Sequence, residues 1–439
     1  MEKYVPNIFF ALILIAGIGY FVMNVRKLIR NIKLGKDIDR SDRKPERWKN
    51  MAKIALGQYK MVRRPVSGIL HIVVYIGFIL INIEMLEIVI DGLFGTHRVF
   101  QPILGPALYG FLIGSFEVLA LLVLVAVTIF WFRRNIEKVK RFWNKEMEGW
   151  PKNDGNIILY FEMVLMTLFL VMNATDVAFQ EAGAGNVVSQ FVAPWFNSFS
   201  PEALHTIEKS AWWLHIVGIL IFLNYLYYSK HLHILLAFPN TFFANLNPKG
   251  QFDNLEAVTK EVKMMMDPDA DPYAMPEEGA EEGEPEKFGA SDVTDLNWVQ
   301  LMNAYTCTEC GRCTSSCPAN LTGKELSPRA IMMKTRDRLE EVGKNIDANG
   351  GTFVDDGKQL LNDYITPEEL WACTSCNACV QECPVNIDPL SIIMDMRRYL
   401  VMEESAAPQE LNMMMTNIEN NGAPWQYSQM DRLNWKDEE

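Results

Sequence analysis

The chain has 439 residues, 49% of them hydrophobic, and a formal net charge of −13 at pH 7. That length allows two or three domains. The charge is uneven: residues 1–245 carry 25 Lys and Arg against 18 Asp and Glu, whereas residues 246–439 carry 16 against 36. An apolar, basic half joined to a polar, acidic half describes a membrane domain carrying a soluble one. The acidic half would repel phosphate, which excludes nucleic acid as a partner.

Five segments are long and apolar enough to cross a bilayer: 6–25, 66–90, 108–132, 156–177 and 211–229. The first lacks a basic leader and a small-residue cleavage site, and its positive charges follow it. It reads as a retained helix rather than a signal peptide. The connection 26–64 holds fourteen Lys and Arg, and the connection 133–155 holds seven. The opposite side has only Lys3, Arg98 and Lys209. This bias places the basic loops in the cytoplasm and the N-terminus in the periplasm of a multi-pass inner-membrane protein. The C-terminal half is then cytoplasmic, where thiols stay reduced.

The stretch "HLHILLAFPNTFFANLNPKG" reads as an amphipathic continuation of the fifth helix that ends near Pro239. Residues 246–290 form an acidic linker, and its part from 266 onward is rich in Pro, Gly and Glu. A soluble module spans 291–402 and is helical by its start signals. Ser327 precedes Pro328, Thr366 and Glu369 form a capping box, and Asp388 precedes Pro389. No alternation long enough for a sheet occurs, so the fold class is all-α. Residues 403–439 read as an extended docking tail.

All eight cysteines lie in two runs of the form C-x2-C-x2-C-x3-C-P. The runs are Cys307, Cys310, Cys313, Cys317, Pro318 and Cys373, Cys376, Cys379, Cys383, Pro384. In this pattern three thiolates hold one face of an iron–sulfur cube and the fourth ligates the other cluster. Two [4Fe–4S] clusters follow: Cys307, Cys310, Cys313 and Cys383 for cluster 1, and Cys373, Cys376, Cys379 and Cys317 for cluster 2. Zinc, the bland alternative, favours separated C-x2-C pairs. The long helical spacer resembles the α-helical ferredoxin module of succinate dehydrogenase iron–sulfur subunits and heterodisulfide reductase. "ELWACTSCNACVQECPVNIDPLSIIMDMRRYLV" is similar to the small iron–sulfur subunit of heterodisulfide reductase.

The membrane half carries His71 near the cytoplasmic end of the second span, and His215 and His233 in and after the fifth. Read as one helix, 215 to 233 is five turns, so both rings share a face about 27 Å apart, with His231 pointing nearly the opposite way. His71 and His233 lie at matching depth and can hold one haem b between them. Lone interfacial histidines are more often helix caps. "WWLH…YSKHLHI" with "GILH…GF" resembles the five-helix cytochrome b subunits of nitrate reductase and heterodisulfide reductase over residues 1–245. The resemblance implies that His71 pairs with His233. The two-haem member of that family has a further histidine where this chain has Ile81. A second haem from His215 and His97 therefore stays open. Glu84 and Glu87, with Glu117 on the third span, are charges in lipid and candidates for a quinone site and its proton path.

These parts form an electron wire between the quinone pool and a cytoplasmic redox partner, within membrane electron transport. The chain resembles a fusion of the cytochrome b and small iron–sulfur subunits of a heterodisulfide reductase-like complex. It lacks the Cys-Cys pairs of that family's catalytic subunits, which implies a separate cysteine-rich subunit. Two alternatives stay open: a quinone reductase fed by a soluble donor, and a non-redox iron–sulfur anchor or sensor.

Overall fold

The computed structural model describes residues 4–268 and 287–437. Most of the linker segment 266–290 lies outside the described residues. Among those described, the chain is helical with no strand and two isolated bridges, as an all-α fold requires. Five helices are long and apolar enough to cross a membrane. They are α1 (Val5–Ile32), α3 (Pro65–Phe94), α4 (Phe100–Asn135), α5 (Trp150–Thr175) and α6 (Pro201–Tyr225). A short helix α2 (Lys44–Met51) lies between the first two.

Proline begins several of them, at Pro65, Pro151 and Pro201, where the missing N–H would lack an intrahelical partner anyway. Gly95, with φ 70, ends α3 in the left-handed conformation that glycine adopts without cost. The helices close a ring in which α3, α4, α5 and α6 pack in chain order and α1 touches both α6 and α3. Small residues permit that closeness. A Cβ on Gly77 would lie 2.5 Å from Val123, and one on Gly92 would lie 2.6 Å from the Phe10 ring.

The fifth span does not continue unbroken to His233. It ends at Tyr225, tightens to a 3-10 turn at Leu226–Tyr228, and opens at Ser229, whose backbone is extended at φ −119, ψ 151. The Ser229 hydroxyl accepts from the His231 N–H at 3.0 Å, so a local cap competes with the helix and wins. A new helix, α7 (His233–Phe242), then starts. The five-turn relation between His215 and His233 is therefore replaced by a corner. Pro239 sits inside α7 rather than at its end.

The soluble module is built on α8 (Trp298–Thr306), α9 (Pro328–Ala348) and α10 (Pro389–Met402), with short helices between them. Its starts follow the sequence signals. Ser327 and Asp388 cap α9 and α10, and Thr366 and Glu369 make a reciprocal capping box on Pro367–Trp371. The segment expected to be extended after 402 instead holds a helix, α11 (Gln409–Asn421), ended by left-handed Gly422. α11 has no buried residue.

The two halves share one core. Leu28 of α1 and Leu232, Leu236 and Ala237 at the α7 corner belong to the same buried cluster as Leu301, Tyr305, Ile331 and Met396. Polar contacts complete the seam. Asn31 donates to the Tyr305 hydroxyl at 2.9 Å, and Asn240 donates to the Val385 carbonyl at 2.8 Å. Lys36 and Asn297 form a parallel bridge. Fully buried Arg329 donates to the Arg141 carbonyl at 2.7 Å and pairs with Glu146 at 2.7 Å.

Substituting Arg329→Met leaves those acceptors unmatched and should cost about 3 kcal/mol. A lowered thermal midpoint of the purified protein is the expected result, and an unchanged midpoint would refute it. Burial raises the Glu146 carboxyl, but the Arg329 guanidinium outweighs it and holds it below its ordinary value of 4.5. A depressed carboxyl stabilises the fold above its unfolded value and loses that contribution as pH falls. The wild-type midpoint should therefore fall on acidification below about pH 4.5, and Arg329→Met should show less of that fall.

Candidate functional site

The two cysteine runs fold alike. The third residue of each, Glu309 and Ser375, has φ 52 and 51, and the fifth, Gly311 and Asn377, has φ 70 and 58. Alternating right- and left-handed backbone coils each loop tightly and turns successive thiols inward. Glu309 and Ser375 are not the residues a left-handed position prefers, so the loops are held in a strained shape by what surrounds them.

Cys307, Cys310 and Cys313 line a cavity together with Cys383 of the other run. Cys317, the fourth cysteine of the first run, lies beside Cys373 and Cys379 of the second, and Cys376 beside Cys373. The two runs thus exchange their last cysteines. All eight are free thiols. Backbone N–H groups reach sulfur, Ile387 to Cys383 at 3.2 Å and Ser375 to Cys373 at 3.4 Å. Burial pushes the Cys307 thiol up to about 12 and Cys383 up to about 11. Without a metal these groups hold their protons, so thiolate formation is tied to metal binding.

Among the described residues no three His, Cys, Asp or Glu are grouped closely enough for a single metal ion. Thiols spaced around a cavity fit the corners of a polynuclear cluster.

The corner after α6 brings histidines together at the module end of the bundle. The His71 and His233 rings are 6.4 Å apart, centre to centre, tilted by 40°. Two imidazoles on opposite faces of one metal, each bonded at roughly 2 Å, have ring centres roughly 6 Å apart. The His233 Nδ1 lies 3.1 Å from the Lys230 carbonyl, which orients the ring and leaves Nε2 free. The His71 Nδ1 is buried with no hydrogen-bond partner, an uncommitted nitrogen that asks for an explanation. These residues can hold a haem. His231 lies 5.4 Å from His233, ring to ring, and the same from Phe222. An unbroken helix would have turned it away, which is why sequence reasoning missed it.

The other histidines are apart. The His215 Nδ1 lies 3.0 Å from the Leu165 carbonyl, with Phe169 as its ring neighbour. His97 lies 3.3 Å from Asp176 at the far end of the bundle and is half exposed. Among the described residues no ring contact joins His97 to His215.

At that far end the carboxylates serve as backbone caps. Glu87 accepts from the Phe100 N–H at 2.8 Å and the Tyr109 hydroxyl at 2.9 Å. Glu117 accepts from the Val188 and Ser189 N–H groups at 2.7 and 2.9 Å. Glu84 differs: it is buried and its Oε2 has no partner. Arg98, which no sequence motif singles out, is the buried cation of this group. It donates to Asp176 at 2.8 Å and to Asn173 at 3.0 Å.

Residues 306–387 match the 4Fe-4S dicluster domain. The chain is 30% identical to the probable iron-sulfur-binding oxidoreductase FadF of Bacillus subtilis, over 98% of this chain and 60% of that protein. It is 26% identical to the EtfAB:quinone oxidoreductase of Syntrophomonas wolfei, over 97% of this chain and 59% of that one. It is 31% identical to one polypeptide of the ferredoxin/F420H2-dependent CoB-CoM heterodisulfide reductase of Methanosarcina acetivorans, over 27% of this chain and 60% of that polypeptide. The chain spans about three-fifths of the length of the first two. No solved structure matches. The homologues are iron–sulfur oxidoreductases and heterodisulfide reductase subunits, and the module carries iron–sulfur clusters, as the cysteine spacing indicates.

Exchange of the fourth cysteines gives a pattern for mutagenesis. Cys383→Ser should perturb the same electron paramagnetic resonance (EPR) signal as Cys307→Ser, and Cys317→Ser the same one as Cys376→Ser. Pairing within each run instead would overturn the ligand sets.

Proposed function

We propose that this chain passes electrons between a quinone in the bilayer and a cytoplasmic redox partner, through a haem b held by His71 and His233 and then through two [4Fe–4S] clusters. The observation that carries the reading is the 6.4 Å facing of His71 and His233, both at the bundle end that bears the cluster module. Bound there, the haem would supply one-electron chemistry at a buried site. The chain's part is to hold the two imidazoles, exclude water, and keep the cluster loops against the bundle. Arg312, beside Cys313, supports this placement, because it donates to the Lys60 and Met61 carbonyls at 3.0 and 3.1 Å just before α3.

Cluster 1 uses Cys307, Cys310, Cys313 and Cys383 and lies inward. Cluster 2 uses Cys317, Cys373, Cys376 and Cys379 and lies outward, since Cys376 is exposed. The partner then meets cluster 2. Of the three quinone and proton candidates, Glu87 and Glu117 are committed to backbone donors, so Glu84, with its uncommitted oxygen, is the one we assign to proton handling. A separate cysteine-rich redox subunit fits the lack of Cys-Cys pairs. The basic-loop side is cytoplasmic in this reading. Flow in the opposite direction, toward quinone, is favoured by one observation, the likeness across 97% of the chain to a protein named as a quinone oxidoreductase.

A reduced-minus-oxidised optical spectrum tests the haem. Wild type and His231→Ala should show a b-type α band, and His71→Ala and His233→Ala should lose it. A band surviving in His71→Ala would refute the assignment. A short-chain menaquinol should reduce the clusters of wild type, and Glu84→Gln should slow that reduction at least tenfold with the α band intact. Cluster reduction as fast in Glu84→Gln as in wild type would remove the proton role of Glu84.

A further inference from the structure

One residue touches both candidate redox sites. The Lys230 carbonyl lies 3.1 Å from the His233 Nδ1, and its side chain, turned the other way, pairs with Glu309. Glu309 sits between Cys307 and Cys310 in the cluster 1 loop, in the left-handed conformation noted above. Lys230 is held from several directions. Its N–H donates to Asp154 at 3.1 Å, and its Nζ donates to the Pro151 carbonyl at 2.5 Å. Asp154 also accepts from the Tyr225 hydroxyl at 2.6 Å, at the last residue of α6. From the module side, Arg336 of α9 pairs with Glu309 at 2.8 Å.

The Lys230, Asp154 and Glu309 side chains are each about nine-tenths buried or more. Arg134 of α4 is an electrostatic neighbour of both acids. Lys230, Arg336 and Arg134 thus meet the buried acids Asp154 and Glu309, and the more exposed Asp337 pairs with Arg336 at 3.5 Å; Lys230 is the cation of this group that also contacts the histidine corner.

Enclosed ion pairs of this kind cost desolvation and are weak evidence for stability alone. This one costs a strained backbone as well. Apolar residues could have filled the space, as they do elsewhere in the shared core. What a cation adds here is a fixed positive potential at two sites at once, in a medium that screens it little.

We propose that Lys230 is the residue that couples the two centres: its main chain orients the membrane histidine, its side chain anchors the cluster 1 loop, and its charge raises the reduction potential of both. This rests on the haem reading above. The step moves a single electron from one metal centre to the other, with no bond formed or broken and no proton transferred. Lys230 touches neither reacting atom, so it is a positioning residue. Glu309, on the loop itself, acts in the opposite sense, because a negative charge there disfavours the added electron.

The test is a redox titration of the full chain, purified anaerobically, with the haem followed optically and the clusters by EPR. Lys230→Met should lower the midpoints of haem and cluster 1 and leave cluster 2 unmoved. Lys230→Arg should restore both. Glu309→Gln should raise the cluster 1 midpoint, a sign that simple loosening of the seam does not produce. Midpoints unchanged in Lys230→Met, or all three centres shifted together, would overturn the proposal. If Lys230→Met fails to accumulate, Glu309→Gln decides: an unmoved or lowered cluster 1 midpoint overturns the proposal. Wild type without a haem band would overturn the haem reading first, before any variant is compared.

Discussion

Guanidinium groups buried at the seam hold the two halves in one geometry. Arg329 and Arg312 come from the soluble module and end on main-chain carbonyls of the loops before α5 and α3. Neither has enough exposure for water to replace those acceptors. A shift of the seam that takes a guanidinium off these carbonyls without letting water reach it costs several kcal/mol, so these contacts fix the register of the two halves. The shared apolar core from Leu28 to Met396 adds a non-directional attraction to the same seam. The module is therefore packed on the bundle as well as tethered to it.

That rigidity is what the proposed wire needs. Electron transfer weakens steeply with distance, and a module swinging on a linker would spend most of its time out of range. Here the α6–α7 corner, the loop before α3 and the first cysteine run meet at one place. Charge supports the packing. The basic excess of the first half meets the acidic excess of the second, and Lys27 of α1 pairs with Asp347 of α9 at 2.8 Å. Other cations of the first half, Lys60 and Arg141, are electrostatic neighbours of Cys383 and Cys310, where positive potential would favour reduced clusters.

Much of this was legible in the sequence. The cysteine spacing alone implies the exchange of fourth ligands, because three thiols two residues apart cannot reach all corners of one cube. The spans followed from apolar length, and the caps at Ser327, Thr366 and Asp388 from their side chains. Other features were out of reach. The break at Ser229 depends on a hydroxyl choosing a local N–H over solvent, a contest that periodicity does not record. It moved His231 and set the corner at His233. The Lys and Arg of 26–64 read as topology signals, yet Arg30 pairs with Asp347 of the module, and Lys36 exchanges backbone hydrogen bonds with Leu296 and Trp298. The 409–421 helix was missed because its polar composition resembled a tail. The left-handed Glu309 carries no signal at all, since its conformation is imposed from outside.

Relaxation-enhancement EPR measures most directly whether the seam brings the membrane histidines next to the first cluster. With the proposed haem oxidised and paramagnetic and the clusters reduced, the account predicts much faster spin relaxation for the cluster assigned to Cys307, Cys310, Cys313 and Cys383 than for its neighbour. Equal relaxation of the two clusters, or a larger effect on the one ligated by Cys376, would contradict it.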